Sequence, residues 1–362
     1  MLSNSRLLTT ALAGAFSPSM LRAATRILAL AIGVAFAACA PNEKPVVRPP
    51  GPSLCKEGPP AWSASDGRQL MYRTWGPAQE RPRAVIVGVP GWNGTAGDIA
   101  PLGRYLAGRG MRVYSTGVRG QHGDLTAASL RTKGQAGDGR LWERDFYEFA
   151  AWVRKRHPKT PLFLYGQSMG SLTAILVSSE MRSGAVKPSG IILHSPAVAM
   201  MYASPLVRFF VGEFRSLSPQ GLLLNVGLIP GDKPALTNDA KFDRFWGRSV
   251  DRVRPGFTWS FFDETLKLGA RARKAAAGIN VPVIVLTGEK DPIGTAGVGQ
   301  RAFTRLMRRI PAEAKERHRF ADGYHDLIHD SNEPQALRCI ADWLDRQLQK
   351  PGTVVQASRS PQ

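Results

Sequence analysis

Short runs rich in β-branched and aromatic residues, Ala84–Val89, Arg112–Thr116, Leu162–Tyr165, Ile191–Leu193, Val281–Leu286 and Arg317–Phe320, alternate with segments long enough for helices, such as Leu141–Arg156 and Ser171–Met181. Repeated βα units of this kind predict a mostly parallel central sheet with helices on both faces, an α/β fold. In such sheets ligands bind beyond the carboxyl ends of the strands, so the loops that follow each run are where function is to be sought. Upstream, Trp62–Trp75 places Asp66-Gly67 between two strand-like pieces, the strongest short signal for a hairpin. With 362 residues, the chain is long enough for one large domain or two small ones.

The pentad Gly166-Gln167-Ser168-Met169-Gly170 follows one of these runs directly and precedes the helical stretch from Ser171. A G-x-S-x-G pattern alone arises by chance in roughly one chain of this composition in four, so the flanking strand and helix give it its weight. A turn this tight forces the serine into a strained backbone conformation with its hydroxyl exposed, and side chains on the flanking glycines would strike the neighbouring strand and helix. The N-terminal amides of the helix face the same point.

A serine nucleophile needs a base, and the base needs an acid to orient it; in this architecture they come in the order Ser, Asp, His on loops after later strands. Asp291 stands in Thr287-Gly-Glu-Lys-Asp-Pro-Ile293, just past the run ending at Leu286, and His325 stands in Ala321-Asp-Gly-Tyr-His-Asp-Leu-Ile328, just past Phe320. Rival candidates are His329, four residues beyond, and Asp322 and Asp326, which flank the histidine but follow the wrong strand. His122, His157, His194 and His318 are expected to be structural or surface residues.

These motifs, with Val118-Arg-Gly-Gln-His-Gly123, resemble the α/β-hydrolase superfamily, and within it the monoacylglycerol lipase and lysophospholipase-like branch (serine aminopeptidase S33-type), over about residues 62–348. Gln167 stands where that branch usually has His, Gly117 where an Asp commonly precedes the Arg-Gly, and Pro90-Gly91 where His-Gly usually opens the oxyanion loop. The resemblance implies an α/β-hydrolase fold with a helical cap inserted at about 196–274, where the repeating pattern lapses. Leu206, Val207, Phe209, Phe210, Val211 and Phe214 give that insert an apolar face. It also implies a serine hydrolase of carboxylic esters, with lipid acyl esters such as monoacylglycerols or lysophospholipids as substrates. Ser168 attacks the carbonyl, His325 takes its proton, Asp291 orients His325, and the backbone amides of Trp92 and Met169 hold the oxyanion. A non-catalytic binding lipoprotein and an acyltransferase on the same fold are the alternatives. No metal-ligand cluster or phosphate-binding glycine loop is visible in the sequence, and no cofactor is expected.

Arg22 and Arg26 precede the uncharged stretch Ile27–Ala38, which ends in small residues before Cys39. A basic region, an apolar region and small residues before a cut are the marks of an export signal, and twelve apolar residues fall short of the roughly 20 that span a bilayer. Cys39 at that point resembles the lipobox of bacterial lipoproteins, with Phe36 where Leu is usual. This implies lipidation at Cys39 and a protein tethered to a bacterial cell envelope, facing the periplasm; a secreted or cytoplasmic enzyme is the alternative. The expected division is a signal peptide over 1–38, starting at Met1 or Met20, a Pro-rich tether over 39–60, the hydrolase domain over 61–350 and a disordered tail over 351–362. Cys55 and Cys339 are either disulfide partners in an oxidising compartment or separate buried thiols. The formal charge of +20 is scattered along the chain and no nucleic-acid fold motif accompanies it, so nucleic acid is not an expected partner. Anionic head groups or plain solvent suit such a surface.

Overall fold

The computed structural model describes residues 60–77, 81–125, 134, 137–180, 186–198, 236–239, 242, 257–294 and 297–350. The leader, Cys39, the Pro-rich stretch through 59 with Cys55, most of 196–274 including 206–214, and the tail 351–362 lie outside the described residues. The strands are β1 (Ala61–Ser63), β2 (Gln69–Trp75), β3 (Val85–Val89), β4 (Arg112–Thr116), β5 (Leu162–Gln167), β6 (Gly190–His194), β7 (Val283–Gly288) and β8 (Lys315–Phe320). They form one sheet in the order β1-β2-β4-β3-β5-β6-β7-β8, in which β3 to β8 run parallel and β2 is antiparallel to both its neighbours.

The interior strands are buried along their whole length, which is why they read as continuous apolar runs and not as alternating ones. Successive side chains point to opposite faces. Val85, Val87, Leu162, Leu164, Ile191, Leu193, Val283 and Val285 enter one core layer with α2 (Arg140–Arg156), α3 (Met169–Glu180) and α4 (Trp259–Ala275). Ile86, Phe163, Tyr165, Ile192, Ile284 and Leu286 enter the other, against α1 (Ala100–Ala107) and α6 (Glu333–Gln349). Between these two helices in the chain, α5 (Gly297–Arg309) sends Phe303 and Leu306 into the first layer. The edge strand β8 carries Lys315, Arg317 and Arg319, charges that discourage pairing with another sheet edge.

Several boundaries differ from the sequence expectation. β5 continues through Gln167 and α3 begins at Met169, so a single residue, Ser168, separates them where a five-residue turn is expected. β7 starts at Val283 and not at Val281, because Pro282 has no N–H to give the ladder; its carbonyl instead accepts from Ile191. Within the segment expected to be inserted, α4 packs on α3 and buries Phe261, Phe262, Leu268 and Ala272 in the first layer.

The β1–β2 hairpin forms as expected, with Gly67 at φ 79°. It is tied to the helical layer by Arg119, whose guanidinium donates twice to Asp145 of α2, at 2.8 Å each, and pairs with Asp66 at 3.0 Å. Cys339, on α6, is a free thiol whose pKa burial pushes up to about 12, which suppresses thiolate chemistry.

Candidate active site

Ser168, Asp291 and His325 follow β5, β7 and β8, so the parallel sheet delivers all three to its carboxyl edge. Ser168 has φ 54°, in the left-handed region that a serine seldom adopts. Its amide donates to the carbonyl of His194 at the end of β6, and that bond holds the strained turn. Every other non-glycine residue with positive φ among the described residues, Asn93 after β3 and Ser195 after β6, lies along this same edge. Backbone strain is thus gathered around one site.

The three side chains form one hydrogen-bonded chain. Ser168 Oγ lies 2.8 Å from His325 Nε2, and His325 Nδ1 lies 3.0 Å from Asp291 Oδ2. Asp291 is fully buried, and its Oδ1 accepts from the amides of Ile293 (2.8 Å) and Gly294 (3.0 Å). Burial alone would raise the Asp291 pKa, but the adjacent imidazole and these amides outweigh it and hold the carboxyl below its ordinary range. An ionised carboxylate only accepts, so His325 carries its proton on Nδ1 and offers Nε2 as the acceptor to Ser168. Burial disfavours the His325 cation, yet Asp291 and then Asp326 more than compensate, so its pKa lies above the ordinary 6.5. Such an arrangement can take a proton from the hydroxyl as the oxygen attacks, and can stabilise the cation that results.

The rival residues are engaged elsewhere. His329 pairs through Nδ1 with Asp326 Oδ2 at 2.9 Å and stacks on Phe242 with ring centroids 4.2 Å apart. Asp322 is exposed and pairs with Lys290. His194 is buried between the Tyr165 hydroxyl (2.7 Å) and the Leu327 amide (3.0 Å), and burial drives its pKa down to about 4, so it is a neutral structural residue. His157 follows α2 and meets the Tyr114 hydroxyl, His318 pairs with Glu316 on β8, and His122 is partly exposed on the loop after β4.

Trp92 and Met169 flank the serine from two sides. Met169 is the first residue of α3, and Trp92 lies on the loop after β3, lining the cleft that holds Ser168 and His325. Neither backbone amide has a hydrogen-bond acceptor among the described residues. Sequence reasoning missed the device that holds the Trp92 loop in place. Gln121 is fully buried; its Oε1 accepts from the Asn93 amide and its Nε2 donates to the Gly91 carbonyl (3.3 Å). The bonds fall on either side of Trp92. Gln121 lies in the Val118–Gly123 segment, but nothing local to that segment tells that its side chain crosses to another loop.

A family model for serine aminopeptidase, S33, matches residues 80–332. The chain belongs to the serine aminopeptidase S33 family. Among curated proteins, the S33 chain is 24% identical to monoglyceride lipase of Mus musculus over 296 residues, covering 80% of this chain and 90% of the mouse protein. It is 27% identical to monoglyceride lipase of Homo sapiens over 228 residues, covering 63% and 71%. Among solved structures, a soluble variant of monoglyceride lipase from Saccharomyces cerevisiae in complex with a substrate analog superposes with a TM-score of 0.67 at 19% identity, covering 83% of this chain and 99% of that one. Paleococcus ferrophilus monoacylglycerol lipase gives 0.60 at 21% identity, covering 77% and 99%. These likenesses establish the α/β-hydrolase fold.

Gly117, a departure of this S33 member from the family pattern, and Gly91, the glycine it keeps, both have local physical reasons. A Cβ on Gly117 would stand 2.8 Å from the Gly123 backbone, so the two glycines let the ends of the Arg119 loop touch. A Cβ on Gly91 would stand 2.9 Å from Ser168 Cβ, so Gly91 lets the Trp92 loop reach the serine. Gln167 is buried and lines the cleft, and nothing among the described contacts explains why it is not a histidine.

Proposed function

We propose that this carboxylic ester hydrolase cleaves acyl esters of lipids, with monoacylglycerols and lysophospholipids as the candidate substrates, through Ser168, His325 and Asp291. The observation that carries the reading is the continuous hydrogen-bonded chain from Ser168 Oγ through His325 to a buried Asp291. Ser168 Oγ attacks the ester carbonyl as its proton passes to His325 Nε2, and the amides of Met169 and Trp92 receive the oxyanion. The C–O bond then breaks, the alcohol leaves with the proton from His325, and water repeats the sequence to free the acid. The monoglyceride lipase relatives support a lipid ester as substrate. A fluorophosphonate probe tests the nucleophile: label mapping to Ser168 and blocked by prior incubation with a long-chain acyl ester supports the reading, and an unlabelled, folded protein overturns it.

Two consequences arise from the site. His325 must be neutral to accept the Ser168 proton, and its pKa is raised, so kcat/KM should fall as pH drops through a midpoint above 6.5. In Asp291→Asn, burial is left unopposed by its main partner and the midpoint of the residual activity should move down. An unchanged midpoint in that variant would mean that Asp291 neither orients His325 nor stabilises its cation. Gln121→Leu releases the Gly91 and Asn93 backbone around Trp92. It is expected to lower kcat by about 10–100-fold, in the range for weakening one oxyanion donor, with a smaller change in KM. A KM effect alone would mean that Gln121 shapes the cleft without positioning the Trp92 amide.

We further propose that the mature chain is held by lipid at Cys39 in a bacterial cell envelope, its catalytic domain outside the cytoplasm. The sequence of Arg22, Arg26, the apolar Ile27–Ala38 and Cys39 supports this. Lipid anchoring by more than one acyl chain is stable, whereas basic charge alone is stripped by salt. Metabolic labelling with an alkyne fatty acid decides: label lost in Cys39→Ser supports the anchor, and an unlabelled wild type overturns it.

A further inference from the structure

His194 ends β6, the strand beside β5 and two from β8, and it hydrogen-bonds toward the loops that follow both. Its carbonyl accepts from the Ser168 amide at 2.8 Å and from Ser171 Oγ at 3.1 Å. Its ring reaches the other way, where Nε2 lies 3.0 Å from the amide of Leu327, two residues past His325. An amide nitrogen only donates, so Nε2 is the acceptor, the ring is neutral, and its proton sits on Nδ1, 2.7 Å from the Tyr165 hydroxyl oxygen. Tyr165 lies on β5, three residues before Ser168, so the ring takes its direction from the strand that carries the nucleophile.

Packing does not call for a polar residue here. His194 points to the same face as Ile192, into the layer that holds Tyr165, Leu286 and Leu327, and it is 1% exposed. Burying an imidazole there costs free energy that an aliphatic side chain would not, and the bond to the Leu327 amide offsets it. That bond also completes the support of the histidine loop. On the Asp291 side the loop is held by the amides of Glu289 and Lys290, which donate to the carbonyls of Phe320 (2.9 Å) and Gly323 (3.0 Å). On the Ser168 side it is held by His194. Proton transfer needs Ser168 Oγ and His325 Nε2 within hydrogen-bond reach, and a displacement of about 1 Å can cost on the order of 100-fold in rate.

Resting on the ester-hydrolase reading, we infer that His194 is a positioning residue for the reaction: its carbonyl holds the Ser168 amide, its ring holds the Leu327 amide, and one residue thereby sets the distance across which the proton moves. A side-chain substitution leaves the carbonyl in place, so the turn at Ser168 keeps its bonds and only the link to the histidine loop is cut.

Three substitutions separate the two ring bonds, because an asparagine amide reaches the place of Nδ1 and a glutamine amide that of Nε2. His194→Gln keeps an acceptor for the Leu327 amide and loses the Tyr165 contact; His194→Asn keeps the Tyr165 contact and loses the acceptor; His194→Leu loses both. With a p-nitrophenyl ester, His194→Asn and His194→Leu should lower kcat by about 10–100-fold with KM within about twofold, whereas His194→Gln should stay within about fivefold of wild type. The glutamine and asparagine variants each forfeit one buried hydrogen bond and should melt at similar temperatures, so a kcat gap between them is not a stability effect. If kcat falls equally in those two, or follows the melting temperature, or if either fails to fold, the ring merely fills the core and the positioning role is wrong. A wild type that turns over no ester overturns the ester-hydrolase reading, and the positioning role with it.

Discussion

Replacing Ser168 by alanine is expected to reduce ester turnover by roughly a million-fold in kcat, with His325→Ala about as severe and Asp291→Asn nearer ten-thousand-fold. In the proposed mechanism the serine forms the covalent bond, and without His325 its hydroxyl keeps its proton. Losing the Asp291 charge frees the imidazole to take the wrong tautomer, since only the 3.0 Å bond to Oδ2 fixes the proton on Nδ1. If, as proposed, the three act as one unit, Ser168→Ala combined with His325→Ala should be no worse than either alone. Hydrolysis of a p-nitrophenyl ester measures the loss, and a thermal melt shows that the fold survives. His329→Ala is the control: His329 pairs with Asp326 and stacks on Phe242, away from the proton path, and its loss should cost far less. Activity persisting in Ser168→Ala, or vanishing only in His329→Ala, would mean that another constellation does the chemistry.

A methyl group on Gly166 is expected to destabilise the whole domain, by more than about 3 kcal/mol out of the 5–15 typical of a folded domain. Its Cβ would lie 2.3 Å from the Gly170 carbonyl oxygen and 2.5 Å from Ser171 Cα. These are backbone atoms of α3, which is buried on every side, so no side chain can swing away and the helix would have to leave the strand. Gly170 is caught the same way, 2.4 Å from the Val89 carbonyl oxygen. Gly67→Ala makes the comparison: Gly67 has positive φ, which Gly166 and Gly170 do not, but nothing lies within 4 Å of its Cβ position. It should therefore cost only about 1 kcal/mol, the local strain. Denaturant unfolding of both variants measures the difference, and equal midpoints would contradict the packing of the turn around Ser168.

The strands β3 to β8 and the turn around Ser168 could be read from the chain because their causes are local. A buried parallel strand must be apolar on both faces, and a turn of one residue between strand and helix tolerates only glycine two positions to either side. The order of Ser168, Asp291 and His325 on loops after successive later strands was legible for the same reason: right-handed βα units send every such loop to one edge. Boundaries were less legible. Whether β5 stops at Tyr165 or Gln167 depends on pairing with β6, where Gln167 lies opposite His194. The loop after β8 singled out His325 over His329 in the sequence, but which nitrogen reaches Oγ across 157 residues of chain was set only by the tertiary structure. The tertiary structure also decided that Gln121 holds the Trp92 loop and that Asp326 pairs with His329, because a side chain's partner is set by strand order and packing, which residues adjacent in sequence do not encode.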